Sequence, residues 1–347
     1  MTTTVSPNLE IGNSKKNVII NGDFDIWQRA ISQTANGIGS ADRWRLNNTG
    51  NTKTLSRTVF SVGQSDVPNN PKYYATIAVT TGVAIGDYTN INQQIENVSS
   101  FSGETVTISF WAKADSNKNI STEMKQDFGT GGSPSTSVVG LGITTHTLTT
   151  SWQKFSVTSI FPSIAGKTLG TNGDDAIQLT FWLSAGSTFD ARTNSLGNQS
   201  GTFDIAQVQM EKGSYITNFE HRNKGEELAL CQRYFEKTYN TDVLPATITD
   251  EGRILARQDK VASGATLSGH NMLTGYFRVT KRVIPTMVGY NPTTGTVGEF
   301  RDSLNGTNHT IDYFYQPGEG GFGGVFSVSA IDTNKKPSLH WTADAEL

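Results

Sequence analysis

Two tryptophans sit out of phase with the strands that carry them. Along Val106–Asp115, Val106, Ile108, Phe110 and Ala112 point one way, while Thr107, Ser109 and Trp111 point the other. Ile177, Leu179, Phe181 and Leu183 alternate likewise against Gln178, Thr180 and Trp182. An indole on the solvent side of a sheet can stack on the apolar face of a sugar ring while Asn, Gln, Asp and Arg bind its hydroxyls. A helix, a loop or a neighbouring subunit can equally well cover it. Trp111 and Trp182 are therefore the candidate carbohydrate-binding residues.

Catalytic chemistry finds no comparable start. Gly166-Lys167-Thr168 has the ending of a phosphate-binding loop, but Phe161 stands where its first glycine is required, so a turn is expected. The histidines, His146, His221, His270, His309 and His340, have no helical metal-ligand spacing, and no GxSxG elbow occurs. Asp174 and Asp175 are adjacent and would face opposite sides of a strand, whereas glycoside hydrolysis needs two carboxylates across a groove. The chain is read as a non-enzyme.

The elements that must hold these residues are strands. Apolar residues make up 35% and charged residues 17% of the 347, with Gly, Ser, Thr and Asn abundant, a balance suited to sheets with one wet face and tight turns. Aromatics at 10%, spread along the chain, argue against disorder. A net charge of −3 without a basic cluster excludes electrostatic nucleic-acid binding. No apolar run approaches the roughly 18 residues of a membrane span, and MTTTVSPNLE lacks the regions of a signal peptide. Synthesis in a cytoplasm is expected.

Residues 1–16 are polar and aperiodic and read as an arm. Short alternating strands separated by Pro68–Pro71, Ser102-Gly103, Gly129–Pro134 and Asn172–Asp174 follow, without interleaved helices, as in an antiparallel β-sandwich of jelly-roll type. Alternation slips near Ala206, as at a bulge. Asn223 is a helix N-cap with Glu226 as its capping-box partner, and a helix over Gly225–Lys237 would bury Leu228, Cys231 and Phe235. The single cysteine is thus a packing residue. Strand patterns then resume at Gly275–Val279, Thr286–Tyr290, Ile311–Tyr315, Gly324–Val328 and Leu339–Ala343. The expected fold is all-β: a jelly roll over 17–220, a linker helix in 221–240 and a smaller β-sandwich-like domain over 241–347.

Several stretches resemble bacteriophage virion proteins of the tail-fibre, receptor-binding and head-fibre or decoration type. They are NVIINGDFDIWQR (Asn17–Arg29), ADRWR (Ala41–Arg45), VTISFWAKAD (Val106–Asp115), TTSWQKFSV (Thr149–Val157), FDIAQVQMEKG (Phe203–Gly213), NFEHR with GEELALCQRYFEKTY (Asn218–Tyr239), and WTADAEL (Trp341–Leu347). The first domain of such proteins is similar to the jelly roll of carbohydrate-binding modules. The resemblance implies that Trp44 and Trp152 are packing residues of the core. It also implies a structural calcium held between Asp25, where the pattern has Glu, and Asp204. A turn cap at Asp25 and a backbone contact at Asp204 are the alternative. At the level of function it implies a virion component, a homo-oligomer about a three-fold axis, anchored by the arm to other virion proteins and contacting host surface glycans. The alternatives are a decoration protein without a ligand of its own and a polysaccharide depolymerase.

Overall fold

The computed structural model describes residues 16–80, 82–255, 270–271, 273–327 and 336–347. Residues 1–15, most of the expected arm, lie outside them, as does Val328 at the end of one expected strand.

The first part of the chain contributes β1 (Ser32–Gln33), β2 (Arg45–Thr49), β3 (Lys53–Val59), β4 (Tyr73–Val79), β5 (Tyr88–Glu96), β6 (Thr105–Ala114), β7 (Lys118–Asp127), β8 (Val138–Leu148), β9 (Gln153–Ile160), β10 (Ala176–Ala185) and β11 (Gly201–Lys212). They form two sheets, one of order β1-β3-β4-β11-β6-β9 and one of order β2-β5-β10-β7-β8. Every pairing is antiparallel, and successive strands cross repeatedly from one sheet to the other, as in a jelly roll. The phase read from the sequence holds: Phe110, Ile177, Leu179 and Phe181 are fully buried between the sheets, with Trp44 stacked on Phe24. The bulge is present as well. Register in the β11–β6 pair shifts between Ala206 and Gln209, and Gln207 takes a positive φ of 47°.

The segment before β1 closes this core. Asn17 Oδ1 accepts from Ile19 and Met210 amides, and Asn21 Oδ1 accepts from the Ile26 amide. Gly22 must be glycine, because a Cβ there would lie 2.1 Å from the Val208 carbonyl oxygen.

Among the described residues the α-helices are two short ones, α1 (Asp190–Thr193) and α2 (Lys224–Gln232). Asn223 caps α2 as expected, its side chain accepting from the Glu226 amide at 2.9 Å. The expected helix to Lys237 is too long. It stops at Gln232, and Phe235–Lys237 is strand β12, paired with residues Thr342–Asp344. Cys231 and Phe235 are buried and Leu228 is half-buried.

The rest of the chain adds β13 (Ile254–Leu255), β14 (His270–Asn271), β15 (Gly275–Tyr276), β16 (Thr286–Tyr290), β17 (Glu299–Asp302), β18 (Thr307–Thr310), β19 (Tyr313–Tyr315), β20 (Gly321–Phe322), β21 (Gly324–Phe326) and β22 (Pro337–Asp344). β22 is the hub, pairing with β12, β13, β16 and β17. The β17–β18 hairpin was not expected from the sequence, where no strand was read between Thr286–Tyr290 and Ile311–Tyr315. This part has its own apolar cluster, built on Phe300, Phe322, Leu339 and Trp341.

Charge pairs join the two parts. Arg29 reaches Asp344 and Glu346 at 3.0 and 3.1 Å and stacks on Phe235. Arg43 pairs with Glu346 and lies over Tyr234, and Arg233 forks onto Glu96 at 2.8 and 2.9 Å. Lys237, its ammonium surrounded by the carbonyls of Gln28, Thr241 and Val243, is pushed down to about 8 by burial.

Candidate functional site

The two tryptophans have different surroundings. On the five-stranded sheet, Asn47, Asn90, Trp182 and Ser121 form one cross-strand row on the outer face, with Arg45, Asn92, Thr180 and Glu123 beside it. Trp182 has the expected phase but is only 2% exposed. The turn after β10 leads into α1, which folds back over it. Phe189 and Tyr88 pack on the indole at 5.2 and 5.7 Å, and the Arg192 guanidinium lies 5.1 Å from it. The indole Nε1–H donates to Glu123 Oε2 at 3.0 Å, and Arg192 forks onto the same carboxylate with two 2.8 Å bonds. Trp182 is a packing residue, which corrects its reading as a sugar platform: a loop covers it.

Trp111 is on the outer face of the six-stranded sheet and is half-buried. It packs with Val67, Phe60 and Ala206 into a small surface cluster that also holds Tyr74 and Trp152. Tyr74 and Trp152 meet edge to face at 5.2 Å, and Phe60 backs both at 4.6 and 5.2 Å. Trp152 was expected in the core. It lies outside the sandwich instead, because it precedes β9 in a turn where sheet alternation does not fix its side. Tyr74 is out of phase with the inward Ala75 and Ile77, so its outward position was implicit in the alternation.

Beside the rings runs the row Ser56, Thr76, Asp204, Lys113, about 7 Å away at strand spacing. Thr76 Oγ1–H donates to Asp204 Oδ1 at 2.7 Å, and Lys113 Nζ lies 3.6 Å from Oδ2 and 5.3 Å from the centroid of Trp152. Burial raises the Asp204 carboxyl above its ordinary value, opposed by Thr76 and Lys113. One row further on lie Thr54, Ala78 and Thr202, where the face ends in a recess of about 580 Å³. Lys53, Asn51 and Asp115 are among its lining residues. Side chains on this face present rings at one end and paired donors and acceptors at the other, which suits an extended hydroxylated ligand.

The structure does not bring Asp25 and Asp204 together. Asp204 engages Thr76 and Lys113. Asp25 is pushed up to about 6 by burial and then by Asp23, against the pull of Lys224 and Lys72. Neither carboxylate is among the groups that shift the other. The entering segment docks on β11 at Val208, whose amide donates to the Gly22 carbonyl, four residues beyond Asp204 and so roughly 13 Å along the strand. Two such carboxylates do not make a shared calcium ligand set, and among the described residues no group of three His, Cys, Asp or Glu is placed to hold a metal ion. Asp174 and Asp175 serve the backbone instead, accepting from the Thr130 and Val98 amides. Gly166 is in a turn at a φ of 76°.

No protein-family model matches the chain, and no curated protein matches it. Among solved structures it is similar to the carbohydrate-binding module CBM4, at 20% identity over 56% of this chain and 98% of that one, with a TM-score of 0.32. It is similar to TmCBM61, solved with β-1,4-galactotriose, at 9% identity over 57% of this chain and 99% of that one, TM-score 0.31. It is also similar to a domain of tailspike protein 4 of bacteriophage CBA120, at 15% identity over 53% of this chain but 22% of that one, TM-score 0.31. Likeness at this level assigns neither ligand nor role, and the jelly-roll description rests on the strand order above.

Proposed function

We propose that this chain is a non-enzymatic bacteriophage virion component that attaches the particle to glycans of the host surface through the outer face of its six-stranded sheet. The observation that carries the reading is the partly buried, outward-facing Tyr74, Trp111 and Trp152 group beside the Thr76–Asp204–Lys113 row. Rings of this kind stack on sugar faces, and the neighbouring row supplies directional donors and acceptors. The virion setting rests on the sequence resemblance alone. A single shallow face gives weak affinity, so copies fixed about a three-fold axis on the virion would multiply it. The arm would anchor the chain. The later β unit, with Tyr276 exposed at 81% and Tyr313 at 47%, would face the host.

The test is an immobilised glycan array probed with the soluble chain and its Trp152→Ala variant. The expected outcome is retention on a defined glycan set, weakened about 30-fold by the substitution, as for an aromatic contact worth about 2 kcal/mol. A wild-type chain that binds no glycan, while being located on an imaged virion, would instead make it a decoration protein without a ligand.

A further inference from the structure

The six-stranded sheet ends on a strand whose outer edge the fold leaves open. In the β6–β9 pairing the Phe161 amide donates to the Glu104 carbonyl at 2.9 Å. Antiparallel alternation then turns the amides and carbonyls of Phe155, Val157 and Ser159 toward β6. Those of Lys154, Ser156, Thr158 and Ile160 point away from the sheet. Among the described residues no backbone group pairs with them, and all four residues are exposed.

The other edges of the sandwich are guarded. β1 is two residues long, and Leu46 of β2 exchanges backbone bonds with Gly37. β8 breaks register twice against β7, and Asn194, just past α1, donates to its Thr145 hydroxyl at 3.2 Å. β9 has no such device. It runs eight residues without glycine, proline or register shift, and Lys154 near its start is its one charge. Its Phe, Val, Thr and Ile suit a strand with a neighbour on both sides.

We propose that β9 pairs antiparallel with β9 of a second copy of this chain, about a two-fold axis through Val157, joining the two six-stranded sheets into one. In this register Ser156 lies opposite the partner's Thr158 and Lys154 opposite the partner's Ile160, so every open amide and carbonyl of the edge gains a partner. The Thr107–Thr158 hydroxyl contact at 2.9 Å continues through the partner's Ser156 into a longer polar row. Ile160 is 68% exposed in the single chain, and the alkyl stem of the opposing lysine covers it. The two lysines stay about 20 Å apart, and each comes within two strand spacings, about 10 Å, of the turn that holds the partner's Glu104. Eight residues a side fall short of the roughly 20–30 of a standard interface, so the dimer is weak alone and favoured where copies are crowded. The contact does not depend on the glycan reading. Where that reading holds, it sets two ring groups about 25 Å apart on one side of one sheet, adding a two-fold contact to the three-fold arrangement on the particle.

Sedimentation of the full chain from micromolar to millimolar concentration, without glycan, tests the contact, and a monomer–dimer equilibrium is expected. Thr158→Pro removes an N–H that β6 does not use and should weaken the dimer about tenfold, because two hydrogen bonds are lost per dimer. Ser156→Lys leaves the backbone intact and places like charges on diagonal neighbours across the axis, so it should weaken the dimer as well. Trp152→Ala should dimerise as wild type does. A spin label on Lys154→Cys, with the native Cys231 buried, should report a separation of about 20 Å across the dimer. A chain that stays monomeric at every concentration overturns the proposal, as does a dimer that neither edge variant weakens. A label separation far from that value overturns the register through Val157. Should Thr158→Pro fail to fold, Ser156→Lys and the label distance decide the matter. None of these readouts involves a glycan, so their failure leaves the attachment reading standing.

Discussion

The outer faces of the two sheets began with the same signal, a tryptophan in antiphase to buried aliphatics, and they ended differently. On the five-stranded sheet the chain turns after β10 into α1, and Phe189 and Arg192 close over Trp182. On the six-stranded sheet the segment after β3 covers Trp111 only in part and brings Phe60 under a cluster of further rings. Alternation settles which side of a sheet a residue takes. Whether that side is wet depends on where the neighbouring loops run, and the loops are positioned by crossovers between sheets. A tryptophan partnered by a buried ion pair is built for stability, and one left half-open beside a polar row is available to a ligand.

Substitution of the two tryptophans separates the faces most directly. Trp182→Ala should cost about 3–5 kcal/mol, since it empties a filled site and leaves Glu123 without its indole donor, whereas Trp111→Ala should cost about 1–2 kcal/mol. Chemical denaturation of both variants checks this, and equal costs would mean that the two faces are equally closed. A smaller effect is expected at Arg192, which is partly exposed but pairs with the buried Glu123. Arg192→Ala should lose about 1–3 kcal/mol and make Trp182 accessible to acrylamide quenching, turning the closed face toward the open one. Unchanged quenching would show that Phe189 and Tyr88 suffice as cover.

The smallest effect belongs to the open face. Burial raises the Asp204 carboxyl above its ordinary 3.8. The folded state therefore holds a proton that the unfolded chain has lost, and stability falls as pH rises from about that value through the folded pKa. Asp204→Asn should flatten this part of the pH–stability curve by less than about 1 kcal/mol. A slope of opposite sign in wild type would mean that Lys113 and Thr76 outweigh burial.

Residues whose roles depend on their near neighbours were legible. The inward phase of Phe110 and Phe181, the slip at Ala206 and the cap at Asn223 each follow from a few consecutive side chains, and each is found. The end of α2 was not legible. Phe235–Lys237 carries a helical pattern, but β22 arrives about a hundred residues later and offers a strand ladder that outweighs local propensity.

The candidate site divides along the same line. An all-β chain, the buried phase of its strands and the outward side of Trp111 follow from the sequence, because strand periodicity and turn chemistry act over a few residues. Packing across the two sheets covers Trp182, gathers Trp152 and Tyr74 beside Trp111, and keeps Asp25 and Asp204 apart. Each of these depends on segments brought together across two sheets, where burial and partner charges arise from packing.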